Sequence, residues 1–186
     1  FVTDYISCGH VDPEVIASVV KGIAQACQKA GCALLGGETA EHPGLLAPDE
    51  FDVAGATTGV VERDEILGPE RIAEGDALIA VASSGLHSNG YSLVRHVLLE
   101  QAGWTLDRHV DELGRTVGEE LLEPTIVYAA DLLALAHHSE VHAMCHVTGG
   151  GLANNLTRVM PSHLTATIER STWSPAPICR IVQKVG

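Results

Sequence analysis

The segment Ser83-Ser84-Gly85-Leu86-His87-Ser88-Asn89-Gly90 joins an apolar run, residues 77–82, to an amphipathic segment, residues 91–102. A short apolar run predicts a buried strand, and apolar residues at helical spacing predict a surface helix. The glycines and serines between them are typical of a loop. This part of the chain therefore predicts a strand–loop–helix unit.

The same order returns downstream. Residues 141–147 are a second apolar run, Thr148-Gly149-Gly150-Gly151 a second glycine loop, and residues 152–160 a second amphipathic segment that ends at Pro161. Residues 163–169 predict a further strand and residues 125–137 a further helix, whereas the polar stretch 107–118 predicts an exposed segment. The second half of the chain is expected to be layered α and β structure.

The first half has a different pattern. Residues 13–30 predict a helix on a sheet, with Asp12 as its N-cap and Gly31 just past its end. Residues 32–35 predict a strand that enters a loop, residues 36–44, and residues 51–62 predict a longer strand. Charged and turn residues at 64–75 indicate a boundary. We therefore expect an α+β chain with one domain over residues 1–70 and another over 71–186.

Composition excludes several classes of protein. The 186 residues are 46% apolar and 19% charged, enough to build a core. The net charge of −13 disfavours nucleic acid as a partner. No apolar run is long enough to span a membrane, and the five cysteines form no Cys-x-x-Cys pair. We expect a cytoplasmic protein with no membrane contact.

The two glycine loops favour phosphate binding. Such loops present backbone N–H groups at a helix N-terminus, where the helix dipole also favours an anion. Neither loop contains Lys or Arg, so neither is a Walker A loop, which has a Lys before Ser or Thr. Under the alternative interpretation, the glycines serve only tight turns.

Carboxylates next to glycines suggest a magnesium site. Glu38 and Glu41 lie in the predicted loop after a strand, and Asp4 lies at the end of the apolar stretch with which the sequence opens. In a protein that handles phosphates without basic residues, a divalent cation would balance the charge. Ordinary solvated carboxylates, or a turn role for Asp4, remain the alternative.

Two of the ten histidines fall at the glycine loops. His87 lies inside the first loop and His146 just before the second. Imidazole there could donate to a phosphate oxygen or transfer a proton near neutral pH. A purely structural role remains open for each.

Four motifs in order resemble the aminoimidazole ribonucleotide synthetase family. They are FVTDY at residues 1–5, GGETAE at residues 36–41, SSGLHSNGYSLVR at residues 83–95 and HVTGGGL at residues 146–152. The resemblance covers essentially the whole chain, and the third motif is the most specific.

The resemblance implies ATP- and Mg²⁺-dependent ring closure of formylglycinamidine ribonucleotide to 5-aminoimidazole ribonucleotide in purine biosynthesis. The formamide oxygen would be phosphorylated, an amidine nitrogen would attack, and phosphate would leave. It also implies two-domain subunits with mixed sheets and flanking helices. The N-terminal strands would form a barrel at the interface of a homodimer.

The resemblance also implies roles for particular residues. Glu38 and Asp4 would be metal ligands, and with Thr39 they would contact the nucleotide. His87 and His146 would be catalytic. The expected contacts to the substrate or its phosphate are Ser84, Ser88, Asn89, Thr148, Gly149, Gly150 and Gly151.

The chain departs from the family at His42, where the family usually has Met. The family also has a glycine- and Asp-rich segment before the position of Phe1, so we expect a central fragment that is inactive alone. Two alternatives stay open. One is a related ATP-using enzyme of the thiamine-monophosphate kinase or selenophosphate synthetase type, and the other is a non-catalytic dimerisation module.

Overall fold

The computed structural model describes residues 1–186, which form an α+β chain of two compact units. The first unit comprises Phe1–Ile66 and Val127–Glu140, and the second comprises Leu67–Ile126 and Val141–Gly186. The helices are α1 (Pro13–Ala30), α2 (Tyr91–Arg95), α3 (Val117–Leu121), α4 (Ala129–His138), α5 (Gly151–Leu156) and α6 (Pro177–Val185). The strands are β1 (Val2–Cys8), β2 (Leu34–Glu41), β3 (Phe51–Thr57), β4 (His109–Val110) and β5 (Arg115–Thr116). No helix is long and apolar enough to cross a membrane.

A mixed three-stranded sheet forms the first unit. Its order is β2-β1-β3, with β1 parallel to β2 and antiparallel to β3. The central strand buries Ile6 and Cys8, and α1 buries Cys27. Helix α1 is the crossover that parallel strands require.

Helix α1 begins and ends where the sequence predicts. Asp12 accepts hydrogen bonds from the backbone N–H of Glu14 at 2.9 Å and of Val15 at 3.3 Å. Gly31 has a φ of 70° and donates to the carbonyl of Gln28 at 3.2 Å. A side chain is strained in this left-handed conformation, so glycine is the residue that closes the helix at the lowest cost.

Two glycines of this helix region should respond oppositely to alanine. We expect Gly31→Ala to lower the free energy of unfolding by about 1 kcal/mol, because alanine must adopt a left-handed backbone. Gly22→Ala should raise it by about 0.5–1 kcal/mol, because Gly22 lies inside the helix and a Cβ added there would meet nothing within 4 Å. Urea unfolding of both variants measures the difference. Equal shifts would contradict the cap assignment.

The predicted loop at residues 36–44 is wrong over most of its length. Gly36 to Glu41 belong to β2 and pair in parallel with residues 3–8 of β1, with an irregularity between Val2 and Thr3. The loop prediction failed because the parallel partner, β1, lies about thirty residues earlier and leaves no local signal. Strand β3 is also shorter than predicted and ends at Thr57.

The second unit has an aliphatic core beneath α2. Helix α2 continues as a π-helical segment, His96–Gln101, and Leu98 in that segment is fully buried. The predicted exposure of residues 107–118 is wrong for two apolar side chains, since Val110 and Val117 are 6% and 1% exposed. They reach the core because the β4–β5 hairpin folds the polar residues of this stretch outward.

Three further predicted strands are wrong. Residues 77–82, 141–147 and 163–169 contain no strand. A strand requires a ladder of hydrogen bonds to a neighbouring strand, and neither sheet of the structure includes these runs. Two helices also differ in length from the prediction, since α4 begins at Ala129 and α5 ends at Leu156.

Candidate functional site

The register of the first sheet separates two of the predicted metal ligands. Asp4 pairs with Gly37, Tyr5 with Glu38 and Ile6 with Thr39. Because side chains alternate between the faces of a strand, Asp4 and Thr39 lie on the face of Ile6 and Glu38 lies on the face of Tyr5. The structure does not bring Asp4 and Glu38 together.

Asp4 lies against Gly37, its partner on strand β2. A Cβ on Gly37 would lie 2.3 Å from Oδ1 and 2.5 Å from the carbonyl oxygen of Asp4. Non-bonded carbon and oxygen atoms do not approach this closely, so any larger residue at position 37 would push β2 away from β1. Gly37 of the GGETAE motif therefore serves strand pairing.

Glu38 is exposed, and its Oε1 accepts a hydrogen bond from the N–H of Thr39 at 3.2 Å. Its register partner Tyr5 has its hydroxyl 3.0 Å from Nε2 of His42. This pair was missed because the sequence shows no fixed spacing between a strand tyrosine and a histidine after the next strand. At the same end of the sheet, Glu41 lies 2.9 Å from Nδ1 of His10.

The carboxylates predicted to bind magnesium do not form a complete metal site on their own. Among residues 1–186 no group of three or more His, Cys, Asp or Glu side chains could hold a metal ion. Mg²⁺ is commonly held by one or two carboxylates together with substrate phosphates and water. The exposed carboxylate of Glu38 fits such a role as a single ligand. Asp4, on the opposite face, does not fit as its partner.

The loop of residues 83–90 is held by hydrogen bonds around His87. This residue has a φ of 54°, the only positive φ outside glycine. The N–H of Ser84 donates to Nε2 of His87 at 2.9 Å, and the Ser84 hydroxyl donates to the carbonyl of Pro124 at 2.7 Å. Nε2 also lies 3.0 Å from the Ser84 hydroxyl oxygen. Because the backbone N–H can only donate, its bond to Nε2 favours the neutral ring with the proton on Nδ1.

The rest of this loop is held by the segment that contains Pro124, residues 121–125. The hydroxyls of Ser88 and Thr125 are 3.4 Å apart. Within the loop, the backbone N–H of Asn89 donates to the carbonyl of Leu86 at 3.4 Å. Tyr91, the first residue of α2, donates its hydroxyl proton to the carbonyl of Leu121 at 2.8 Å. Residues 121–125 thus fix the loop at several points.

Asn155 organises the second glycine loop. It is fully buried, accepts from the hydroxyl of Thr148 at 3.0 Å, and donates to the carbonyls of Thr148 at 3.4 Å and Gly151 at 2.6 Å. Both the oxygen and the nitrogen of its side-chain amide are thus hydrogen-bonded within the loop. The sequence interpretation missed Asn155 because nothing in the pattern distinguishes it from its neighbour, Asn154.

The glycines of this loop differ in their surroundings. A Cβ on Gly149 would meet nothing within 4 Å, whereas a Cβ on Gly150 would lie 3.1 Å from Nδ2 of Asn155. Gly151 has a φ of 69°. Gly150 and Gly151 therefore serve packing and backbone conformation, and Gly149 faces open space. His146, just before the loop, is exposed.

These features define a two-part α+β chain with a mixed sheet in its first part and glycine loops in its second. The sequence-family model for the N-terminal domain of AIR synthase related proteins matches residues 1–61. The family model for their C-terminal domain matches residues 73–183. The chain belongs to the AIR synthase related protein family.

Several named proteins are similar to this chain over its whole length. The chain is 48% identical over 186 residues to phosphoribosylformylglycinamidine cyclo-ligases of Bacillus thuringiensis (strain Al Hakam), Bacillus cereus (strain AH820) and Bacillus anthracis (strain A0248). The match covers 100% of this chain and 54% of each relative. The chain thus spans about half the length of the curated relatives it matches, and the resemblance inferred from its motifs is confirmed.

Proposed function

We propose that the full-length protein containing this chain catalyses ATP-dependent closure of formylglycinamidine ribonucleotide to 5-aminoimidazole ribonucleotide. The observation that carries the proposal is the 48% identity over the entire chain to proteins named phosphoribosylformylglycinamidine cyclo-ligase. The substrate would be a phosphorylated ribonucleotide, and the cofactors would be ATP and Mg²⁺.

Glu38 is the residue that we place at the metal. When bound, Mg²⁺ would neutralise the charge of the ATP phosphates. The Glu38 carboxylate would hold the ion from the exposed face of the sheet, and Tyr5, 3.0 Å from His42, would border it. We place Asp4 and Thr39 at the nucleotide through the other face or the strand backbone, rather than beside Glu38 on one ion.

In this tautomer the His87 ring is suited to act on the substrate as a hydrogen-bond donor. Its Nε2 accepts the hydrogen bond from the Ser84 N–H, so its donor is the Nδ1–H. We propose that this N–H stabilises negative charge that develops on the phosphorylated oxygen, a contribution that fixed donors commonly make. Ser84 would position His87, whereas Ser88 and Asn89 would contact the substrate.

The loop at residues 148–151 is proposed to contact the substrate phosphate. Its support is the open space beside Gly149 and the rigid hold that Asn155 has on Thr148 and Gly151. A loop fixed in advance loses little conformational entropy when it binds a ligand. His146, exposed next to this loop, would act there as the second catalytic histidine.

The difference between the two glycines gives a test of this loop. Gly149→Ala should raise the dissociation constant for the phosphorylated ribonucleotide by about tenfold, because its methyl group would block close approach of the ligand to the backbone. Its thermal stability should not change. Gly150→Ala should instead lower thermal stability, since its methyl group would press on Asn155. Unchanged affinity in Gly149→Ala, measured by calorimetry, would leave the glycines with a turn role alone.

We also propose a homodimer joined through strands of the first unit, in a cytoplasmic protein whose domain boundary lies near residue 70. The sheet supports this assembly because large apolar side chains on one face of β3 are exposed: Phe51 by 47% and Val53 by 41%. A barrel formed by two such sheets would cover them.

The deciding experiment is an assay of the full-length protein. Formylglycinamidine ribonucleotide, ATP and Mg²⁺ should yield aminoimidazole ribonucleotide and ADP in equal amounts. Thiamine monophosphate and selenide, supplied in place of the ribonucleotide, should yield neither ADP nor AMP above background. Formation of ADP or AMP with either of these would overturn the proposal in favour of a related ATP-using enzyme. If no nucleotide product formed with any of the three substrates, a non-catalytic module would be favoured instead.

A further inference from the structure

A group of three charged side chains lies under the loop of residues 83–90. Nε and Nη2 of Arg115 donate to Oε2 of Glu120 at 2.7 and 2.6 Å, and Nη1 donates to Glu123. Glu120 is only 5% exposed. A buried carboxylate is tolerated when it is paired and hydrogen-bonded, and the planar guanidinium can serve two carboxylates at once.

Local structure explains how these groups meet. Arg115 lies in β5, and Thr116 caps α3 by a capping box with Glu119, which orients Glu120 toward the arginine. The hydrogen bonds that Arg115 donates to Glu123 and Glu120 raise the pKa of Arg115 above its usual value, because they stabilise the charged guanidinium.

The charged group lies beside Gly85 of the loop. A Cβ on Gly85 would lie 3.4 Å from Oε1 of Glu120 and 3.8 Å from Cβ and Cγ of Glu123. The next residues along the chain, Pro124 and Thr125, are the partners of the two loop serines. Residues 120–125, which we term the cradle, thus contain both the carboxylates held by Arg115 and the groups that hold the loop.

The cradle is linked to the state of His87 through one serine. The Ser84 hydroxyl is bonded to Pro124, and the Ser84 N–H is bonded to Nε2 of His87. If the cradle moves, Ser84 moves with it, and Nε2 loses the donor that keeps it unprotonated. A shift of about 1 Å in a catalytic group can cost about 100-fold in rate.

We propose that Arg115 is a positioning residue: by clamping Glu120 and Glu123 it fixes the cradle, and through Ser84 it keeps His87 in the Nδ1–H tautomer. This inference rests on the proposed function only for its effect on turnover. Lysine cannot replace arginine here, because a single ammonium group cannot reproduce the fork that joins both carboxylates.

The test uses the full-length protein with ¹⁵N-labelled histidine, in the wild type and the Arg115→Lys variant. Two-bond ¹H–¹⁵N spectra at about pH 8.5, above the ordinary titration range of histidine, report which ring nitrogen is protonated. The His87 signals are identified by their loss in His87→Gln. We expect one Nδ1–H tautomer in the wild type and a mixture in Arg115→Lys. We also expect kcat to fall about 10- to 100-fold, with a smaller change in KM.

Two further variants keep the result interpretable. Glu112→Gln removes a carboxylate from an exposed ion pair with Lys184 in the same unit. It should change neither the His87 tautomer nor kcat. Glu123→Gln leaves the Arg115–Glu120 bond in place, so it should produce a smaller fraction of the second His87 tautomer and a smaller fall in kcat. This variant tests the proposal also in the case that Arg115→Lys folds poorly.

An unchanged His87 tautomer in both Arg115→Lys and Glu123→Gln would overturn the proposal. A mixed tautomer with undiminished kcat would overturn its catalytic part. Failure of the wild type to make aminoimidazole ribonucleotide would count against the proposed function alone, because the tautomer spectra need no turnover.

Discussion

Glu38→Gln in the full-length protein should lower kcat by about 100-fold or more while leaving the fold intact. The substitution keeps the size of the side chain and removes its charge, and a metal ligand that stabilises charge contributes several kcal/mol to the transition state. Glu38 is exposed, and its Oε1 bonds to the adjacent N–H of Thr39, an acceptor role that the glutamine oxygen can keep, so stability should not change. Steady-state kinetics across Mg²⁺ concentrations, with thermal unfolding alongside, measure both.

Asp52→Asn is the matched control for this substitution. Asp52 stands opposite Ser7, on the sheet face that carries Tyr5 and Glu38, but on β3 instead of β2. Its loss removes the same charge from the same face and should leave kcat within about twofold, since exposed charges away from a site have small effects. If Glu38→Gln kept near wild-type turnover at saturating Mg²⁺, the metal role would be wrong.

Gly37→Ala should destabilise the protein by about 1–3 kcal/mol, the usual cost of overfilling a packed position. The added methyl group would lie 2.3 Å from Oδ1 and 2.5 Å from the carbonyl of Asp4. The carbonyl belongs to the central strand and cannot rotate away, so β2 must move. Because Glu38 is the next residue, we also expect activity to fall. Urea unfolding and steady-state kinetics measure the two effects.

Gly55→Ala provides the comparison for Gly37→Ala. Gly55 flanks Asp4 on the other side, in β3, and a Cβ there would lie 3.6 Å from the carbonyl of Thr3, an ordinary contact. Both substitutions add one methyl group beside the same residue of β1. A loss of stability as large in Gly55→Ala as in Gly37→Ala would show that close packing against Asp4 is not the cause.

The sequence by itself determined the features that depend on neighbouring residues. Helix α1 was predicted to the residue because Asp12 and Gly31 act on backbone groups within one turn of themselves. The helical segment after Gly90 was predicted from apolar residues at helical spacing, a pattern that lies within the segment itself. The family was also accessible, because its motifs are short and contiguous, as in SSGLHSNGYSLVR at residues 83–95.

Only the tertiary structure determined which side chains lie next to one another in space. The pairing of β1 with β2 turned the predicted GGETAE loop into a strand and put Asp4 and Glu38 on opposite faces, because strand alternation has meaning only once the register is fixed. The carboxylates that Arg115 holds, Glu120 and Glu123, likewise lie beside Gly85, in a loop far earlier in the chain. Such contacts depend on long-range packing, whose free energy no local pattern of residues encodes.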